Sequence, residues 1–286
     1  MNVFNYNLIF RDEPSLNGED NPKQLEDIYI MQNSRQSSLE VFHHRSDWIE
    51  MNGHQIRYST YKREGGHFSW SMEIENTLIL LWESEQRNIF YQKYEKYSSD
   101  KLCYWVLHTF FPLVLEVEES LPILHVSSVE IEGKVVLFSA CSNGGKSTLA
   151  SYFMQQGHSL YSDDILAIQK RGEAYDAIAS YPFHRPYRKP ETLGVYINNF
   201  ASNPKPIHAI YYLERAAVSA KVEPIELFGI EKFKALHKSI FFHFSDLKEE
   251  HFFFFTQMAQ HVPMYKIMIP FEKKRLGDVY DVIVSR

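Results

Sequence analysis

Residues 139–149 read SACSNGGKSTL, a stretch in which two glycines are followed by a lysine and two hydroxyl residues. The P-loop pattern of nucleotide-binding proteins is G-x-x-x-x-G-K-[S/T]. Gly145, Lys146 and Ser147 match its last three positions, whereas Ala140 stands where the pattern begins with glycine. The stretch is either a phosphate-binding loop or a glycine turn that happens to precede a helix, and its surroundings distinguish the two.

The residues on either side favour a phosphate-binding loop. Before it, KVVLFSA (134–140) is a short apolar run typical of a buried strand. After it, KSTLASYFMQQG (146–157) has the pattern of a helix, with Gly157 placed as its carboxyl-terminal cap. In such a unit the loop amides surround an anion and the helix directs its positive end toward it.

The residue types within the loop suit a nucleoside triphosphate with Mg²⁺. Open glycine backbone admits the phosphates, a lysine reaches the β- and γ-oxygens, and a hydroxyl binds the metal. Ala140 adds one methyl group, which is tolerated where φ is negative, and Asn143 accepts a left-handed conformation better than most residues. The candidate nucleotide-binding residues are Ser142, Asn143, Gly144, Gly145, Lys146, Ser147 and Thr148.

Asp163 and Asp164 follow Lys146 by 17 and 18 residues, between two strand-like segments in SLYSDDILAIQ (159–169). Adjacent side chains of an extended segment point to opposite faces, so one carboxylate can face the metal and phosphates while the other makes a different contact. Alternatively, both aspartates can share a bent junction. Phosphoryl transfer needs a charge clamp, Mg²⁺ and an acceptor for the nucleophile's proton. An exposed Asp-Asp turn is the alternative.

The remaining patterns predict an α/β fold for the second half of the chain and a smaller strand-rich α+β domain before it. We place the domains at 1–118 and 119–286. In the first, 11–40 reads as loop or insertion, 102–111 as a buried helix that ends near Pro112, and four segments as strands. Those segments are QIRYSTY (55–61), HFSWSMEI (67–74), TLILLW (77–82) and NIFYQKY (88–94).

In the second domain we expect strands at ILHVSSVEI (123–131), PIHAIYYLE (206–214) and PMYKIMI (263–269). Helices are expected at EKFKALHKSI (231–240), DLKEEHFFFFTQMAQHV (246–262) and KRLGDVYDVIVSR (274–286). The four phenylalanines at 252–255 cover more than one face of their helix, and we expect them in the core, with an interface as the alternative.

Composition excludes several classes of partner. A net charge of −6 provides no basic field for nucleic acid, and LCYWVLHTFFPLVL (102–115) is too short to span a membrane. The chain opens without the pattern of a signal peptide, and its two cysteines form no disulfide framework, so we expect a cytoplasmic protein. The histidines show no zinc spacing. Cys141 is expected to be packed; if exposed, its oxidation would block nucleotide binding.

Residues 124–168, LHVSSVEIEGKVVLFSACSNGGKSTLASYFMQQGHSLYSDDILAI, resemble the core of HPr kinase/phosphorylase and its relatives. A histidine strand, a turn, an apolar strand, a P-loop and a strand with an Asp-Asp pair occur there in the same order. The resemblance is strongest to the serine kinases of this group that modify ribosomal peptides, including lasso-peptide precursors, which also carry a YP…R segment, here YPFHRPYRK (181–189). The related fold of phosphoenolpyruvate carboxykinase is implied as well.

The resemblance implies a role for each matching residue. Lys146 would hold the β- and γ-phosphates, Ser147 and Asp163 the Mg²⁺, and Asp164 would be the general base, although the two aspartates are interchangeable at this stage. His125 would lie near the transferred phosphoryl group, and Arg185 would stabilise charge on it or anchor the acceptor. Ala140 departs from the family's glycine, and the signature for the reverse, phosphorylase reaction is not found.

The sequence therefore predicts an ATP- and Mg²⁺-dependent kinase that phosphorylates a serine-type hydroxyl of a peptide or small protein. Two alternatives stay open: an ATP-binding regulatory module without catalysis, and a small-molecule kinase or carboxykinase-like enzyme. Residues 1–118 are assigned a role in peptide recognition, and a homo-oligomer is an open alternative to a monomer.

Overall fold

The amino-terminal part of the computed structural model is built on one mixed sheet. The structure describes residues 1–17, 25–33, 45–51, 53–62, 68–118, 121–186, 189–243, 247–270 and 272–286. Within them the sheet has eight strands in the order β1-β2-β3-β8-β7-β6-β5-β4, parallel at β2–β3 and β3–β8 and antiparallel elsewhere. The strands are β1 (Asn2–Val3), β2 (Tyr6–Phe10), β3 (Glu26–Gln32), β4 (Ile49–Met51), β5 (His54–Lys62), β6 (Phe68–Ile74), β7 (Leu78–Glu83) and β8 (Asn88–Lys93).

Strand β3 corrects the prediction of loop for 11–40. Ile28 and Ile30 alternate along it with more exposed neighbours and are fully buried, as the period of a strand requires. The polar residues around this short run obscure its alternation in the sequence. Residues 18–24 and 34–40 of the predicted loop lie outside the described residues. The four strands predicted between 55 and 94 are confirmed as β5 to β8.

The predicted helix does not end near Pro112 but continues past it. Helix α1 (Ser99–Trp105) leads through a π-helical segment (Val106–Phe110) into α2 (Phe111–Glu118). The N–H of Phe111 donates to the carbonyl of Val106, five residues earlier. Proline removes one hydrogen bond and crowds the preceding turn of a regular helix, and the wider π-helical turn provides the room.

The second sheet contains nine strands among the described residues. Its main order is β12-β10-β11-β17-β14-β13-β9, with β19 beside β17 and β18 beside β19. The strands are β9 (Ile123–Leu124), β10 (Ser127–Ile131), β11 (Lys134–Ser139), β12 (Ser159–Ser162), β13 (Leu166–Arg171), β14 (Ala174–Ile178), β17 (Lys205–Ala216), β18 (Pro224–Glu226) and β19 (Met264–Pro270). A separate hairpin pairs β15 (Phe183–His184) with β16 (Val195–Tyr196). The helices are α3 (Lys146–Gln155), α4 (Ile230–His237), α5 (Lys248–His261) and α6 (Leu276–Val284).

The glycine-rich stretch connects β11 to α3, so the strand–loop–helix prediction is confirmed. Strand β11 is parallel to β17, and β17 is parallel to β19. The carboxyl ends of the three strands, at Ser139, Ala216 and Pro270, therefore meet at one edge of the sheet, where ligands of open α/β sheets bind. The mixed α/β class is confirmed, although the predicted strand 123–131 is two strands, because β9 pairs with β13 and β10 with β11 and β12.

The phenylalanine run of α5 corrects the expectation of core burial. Phe255 is buried, but Phe252 is 51% exposed and Phe253 is 63% exposed. Consecutive helical residues are about 100° apart around the axis, so four of them cannot all face one core.

Two compact units result from this arrangement. The first contains residues 1–120 together with 188–193, and the second contains 121–187 and 194–286. The chain thus leaves the second unit for six residues shortly after Arg185 and returns at Gly194. No helix in the described part of the chain is long and apolar enough to cross a membrane.

Phe153 of α3 packs on both β11 and α6. Its substitution therefore tests the packing of these three elements. Its ring is fully buried, 5.3 Å from the ring of Phe138 and 4.9 Å from that of Tyr280. We expect Phe153→Ala to lower the free energy of unfolding by about 3–5 kcal/mol because it leaves a cavity. The exposed Phe253→Ala is the control and should change it by less than about 0.5 kcal/mol in chemical denaturation. Equal effects of the two would contradict the packing described.

Candidate active site

The loop between β11 and α3 turns through two left-handed residues. Asn143 has φ of 59° and Gly145 has φ of 97°, whereas Ala140 does not have positive φ. The alanine at the first motif position therefore causes no backbone strain. The methyl group of Ala140 instead restricts residue 144. A Cβ at position 144 would lie 2.5 Å from the Cβ of Ala140 and 2.8 Å from the carbonyl oxygen of Cys141. Only glycine fits at 144.

Lys146 begins α3 and turns back over the loop. Its ammonium nitrogen donates to the carbonyl oxygen of Ala140 at 3.2 Å, and the residue is 5% exposed. On the outer side, the guanidinium of Arg215, at the end of β17, donates to the carbonyl of Asn143. The first-turn amides of a helix have no acceptor within the helix. The loop thus combines a helix amino terminus with two cations, as an anion site requires.

Asp163 is the most enclosed group of the site, with no exposed surface. Its Oδ1 accepts from the hydroxyls of Ser127 at 2.5 Å and Ser147 at 2.9 Å. Its Oδ2 accepts from Nδ1 of His184 at 2.8 Å and from the backbone N–H of Arg185 at 2.9 Å. One buried carboxylate thereby connects the start of α3, β10 and the β15 hairpin.

Asp164 lies next to Asp163 in a bend between β12 and β13, so the two aspartates share a bent junction and not an extended segment. Its Oδ2 accepts from the Arg185 guanidinium at 2.6 Å, and its Oδ1 lies 3.5 Å from Nδ1 of His125. The side chains of Asp164 and Arg185 are each 7% exposed. Asp164 has φ of 81°, a left-handed conformation that costs a non-glycine residue about 1–3 kcal/mol and is commonly found at functional sites.

The donors present fit Mg²⁺. Mg²⁺ prefers oxygen ligands and is commonly held by one or two carboxylates together with the substrate's phosphates. The Ser147 hydroxyl and Asp163 Oδ1, 2.9 Å apart, are such a pair. No cluster of three or more His, Cys, Asp or Glu side chains able to hold a metal occurs among the described residues. Because each oxygen of Asp163 already accepts two hydrogen bonds, its role as a direct ligand stays a prediction.

The structure brings together six residues that the sequence analysis selected. Ser147 contacts Asp163, Asp163 contacts the backbone of Arg185, and Arg185 contacts Asp164, which is next to His125. Lys146 precedes Ser147, while Ser142, Asn143 and Thr148 are exposed on the loop. The roles assigned to these residues remain predictions.

Three residues of the site were missed in the sequence: Ser127, His184 and Arg215. His184 was detectable, because it directly precedes Arg185 in the quoted YPFHR segment. Ser127 and Arg215 carry no local signal, since strand pairing alone brings them to the loop.

Cys141 is exposed, which corrects the expectation that it packs inside the loop. Its sulfur lies 3.6 Å from the hydroxyl of Tyr212, to which the ammonium of Lys238 donates at 3.3 Å. Burial raises the pKa of Tyr212, and its hydrogen bond to Cys141 raises it further. The phenol therefore stays protonated at neutral pH. Oxidation of Cys141 as a block to nucleotide binding stays a hypothesis.

Comparison with known proteins gives a limited result. No protein-family profile and no curated protein matches the chain. Among solved structures it is similar to the HPr(Ser) kinase/phosphatase from Coxiella burnetii, at 13% sequence identity and a TM-score of 0.36. The match covers 57% of this chain and 94% of that chain. So low a TM-score carries no weight for function, which has to be inferred from the site itself.

The steric requirement at position 144 gives a test of the loop. We expect Gly144→Ala to weaken ATP binding by about tenfold or more, because the new methyl group displaces Ala140 or the Cys141 carbonyl. Ala140→Gly, which introduces the usual residue of the motif, should change the Kd by less than about threefold. Isothermal titration calorimetry measures both. Unchanged affinity in Gly144→Ala would show that the loop does not hold the nucleotide in this conformation.

The Arg185–Asp164 pair gives a second test, through stability. Removing one partner of a buried pair leaves an uncompensated charge, so Arg185→Gln should lower the free energy of unfolding by about 3–5 kcal/mol. The double variant Arg185→Gln/Asp164→Asn should lose much less than the sum of the single losses, because both charges are gone and Asn tolerates positive φ. Additive losses in denaturant titrations would show that the two groups are not coupled.

Proposed function

We propose that this chain is an ATP-dependent kinase that transfers the γ-phosphoryl group to a serine-type hydroxyl of a peptide or small protein. The observation that carries the proposal is the hydrogen bond between Ser147, just after the glycine loop, and the buried Asp163. The next residue, Asp164, forms an ion pair with Arg185. Asp163 is buried and needs hydrogen-bond donors, and by taking one from Ser147 it holds that hydroxyl where the P-loop pattern places a metal ligand.

Each residue has a task in the transfer. The loop amides and Lys146 bind and orient the phosphates, and Asp163 holds the Ser147 hydroxyl where a metal ligand is required. When bound, Mg²⁺ neutralises charge on the phosphate oxygens. The acceptor oxygen forms a bond to the γ-phosphorus while the bond from that phosphorus to the β–γ bridging oxygen breaks, and ADP leaves.

Asp164 accepts the proton that the hydroxyl loses. The geometry favours its Oδ1, because Arg185 holds Oδ2 at 2.6 Å whereas His125 lies 3.5 Å from Oδ1. Arg185 keeps the carboxylate oriented, and its cation lies where negative charge accumulates in the transition state. His125, beside the same oxygen, is assigned a place near the transferred phosphoryl group.

The proposed acceptor is a peptide or small protein, such as the precursor of a ribosomal peptide of the lasso type. The eight-stranded unit of residues 1–120 supports this proposal, since a small metabolite does not require a second recognition surface. Two free cysteines, one of them exposed on the loop, are compatible with a reducing cytoplasm as the place of action.

The transfer is tested with γ-labelled ATP, Mg²⁺ and the short peptides encoded beside the gene. Label should appear on a serine-type hydroxyl with the wild type, and Lys146→Ala should abolish it. Asp164→Asn should lower the rate by about 10²- to 10⁴-fold and leave the Kd for ATP nearly unchanged, because a general base acts on the proton and not on nucleotide binding. Asp281→Asn, an exposed carboxylate at the end of α6, is the matched control and should transfer normally.

The outcomes separate the proposed kinase from its alternatives. ATP binding without transfer to any peptide, and without slow hydrolysis to ADP, would indicate a regulatory nucleotide-binding module. A phosphorylated small molecule found by mass spectrometry would instead indicate a metabolite kinase.

A further inference from the structure

A cavity of about 210 Å³ opens beside the glycine loop. One wall is the loop itself, at Gly144, Gly145 and Thr148. The opposite wall is apolar and comes from the end of β19 and the start of α6, at Ile269, Pro270 and Leu276. Arg215, Glu272 and Lys273 complete the lining.

The parallel strands explain why these residues meet. Because β11, β17 and β19 run in the same direction, the glycine loop, Arg215 and the Ile269–Pro270 end emerge at one edge of the sheet. Arg215 is paired with Ile269 in the register of β17 and β19, and its guanidinium also reaches the loop carbonyl of Asn143. The cavity is thus part of the framework that shapes the loop.

Helix α6, which contributes Leu276 to the apolar wall, is held by contacts at its start and at its middle. Arg275, just before α6, donates to the carbonyl oxygens of Val218 at 2.5 Å and Ala220 at 3.3 Å. Within α6, the hydroxyl of Tyr280 lies 3.0 Å from Nε2 of His158, and its ring packs on Phe153 of α3. Such a wall keeps its shape when no ligand is bound, which lowers the cost of binding.

We propose that this cavity binds the nucleobase of the triphosphate donor. This inference rests on the proposed function and locates the part of ATP that the phosphate loop does not hold. A base attached to phosphates at Gly144 and Gly145 is tethered next to the cavity mouth, and its flat, weakly polar faces suit the Ile269 and Leu276 side chains. Drug-sized ligands occupy about 300–1,000 Å³, so the cavity accommodates only part of a nucleotide.

A second cavity, of about 400 Å³, shares Thr148, Lys273 and Leu276 with the first and is the competing location. Its other lining residues are Ser151, Tyr152, Gln155 and Pro186, most of them polar. Burying a base there would also bury these polar side-chain groups, each of which then needs a hydrogen-bond partner. The first cavity offers the apolar wall of Ile269, Pro270 and Leu276 to the faces of the base, and we assign the base to it.

The test compares ATP with inorganic tripolyphosphate, which has the phosphates without the base. Leu276 lines both cavities and Gln155 only the polar one, so Leu276→Trp reduces the space in both and Gln155→Trp the space in the polar cavity alone. Val284→Trp, on the exposed end of the same helix, is the control. Calorimetric titration should show that Leu276→Trp raises the Kd for ATP by about tenfold or more and changes the Kd for tripolyphosphate by less than about twofold. The control should alter neither value, and Gln155→Trp should weaken ATP binding less than Leu276→Trp.

Each other outcome overturns the assignment. Equal loss of ATP and tripolyphosphate affinity in Leu276→Trp would mean that α6 supports the phosphate loop and does not contact a base. A larger loss of ATP affinity in Gln155→Trp would place the base in the polar cavity. If the wild type binds ATP no more tightly than tripolyphosphate, the proposed base site is wrong and the proposed phosphate site is retained. If it binds neither ligand, the proposed function fails and the base site with it.

Discussion

The buried carboxylate of Asp163 is the group on which the rest of the site depends. It has no exposed surface and accepts four hydrogen bonds, from Ser127, Ser147, His184 and the backbone of Arg185. A buried charge is tolerated only when hydrogen bonds replace its lost hydration. These four donors come from three separate segments of the second unit, so satisfying one carboxylate fixes their positions relative to one another.

The glycine loop shows how a departure from a motif is accommodated. Ala140 lacks the freedom of glycine but does not need it, because the positive φ values fall on Asn143 and Gly145. The methyl group of Ala140 takes up the space beside residue 144, and the requirement for glycine applies there. Chemistry at the loop depends on backbone amides, so one extra methyl group on the strand side leaves the anion-binding groups in place.

The two aspartates are adjacent in sequence but differ in environment. Asp163 is held by neutral donors and His184, whereas Asp164 is held by the guanidinium of Arg185. Their different contacts follow from the bend between β12 and β13, where Asp164 has positive φ. Consecutive carboxylates thereby acquire different surroundings, and different surroundings are what allow two like groups to take different roles.

The sequence by itself determined the strand–loop–helix at 134–157 and most of the other strands and helices, because these depend on local periodicity and on turn chemistry. The place of the Asp-Asp pair beside the loop was implied only by the resemblance to a known family. It missed β3, misjudged the end of the helix at Pro112, and placed Phe252 and Phe253 in the core. Tertiary structure alone decided that Ser127, His184 and Arg215 join the site and that Ile269 and Leu276 form a cavity beside the loop. Those contacts connect residues up to 132 positions apart, from Gly144 to Leu276, and strand pairing and helix packing at such separations leave no local pattern in the chain.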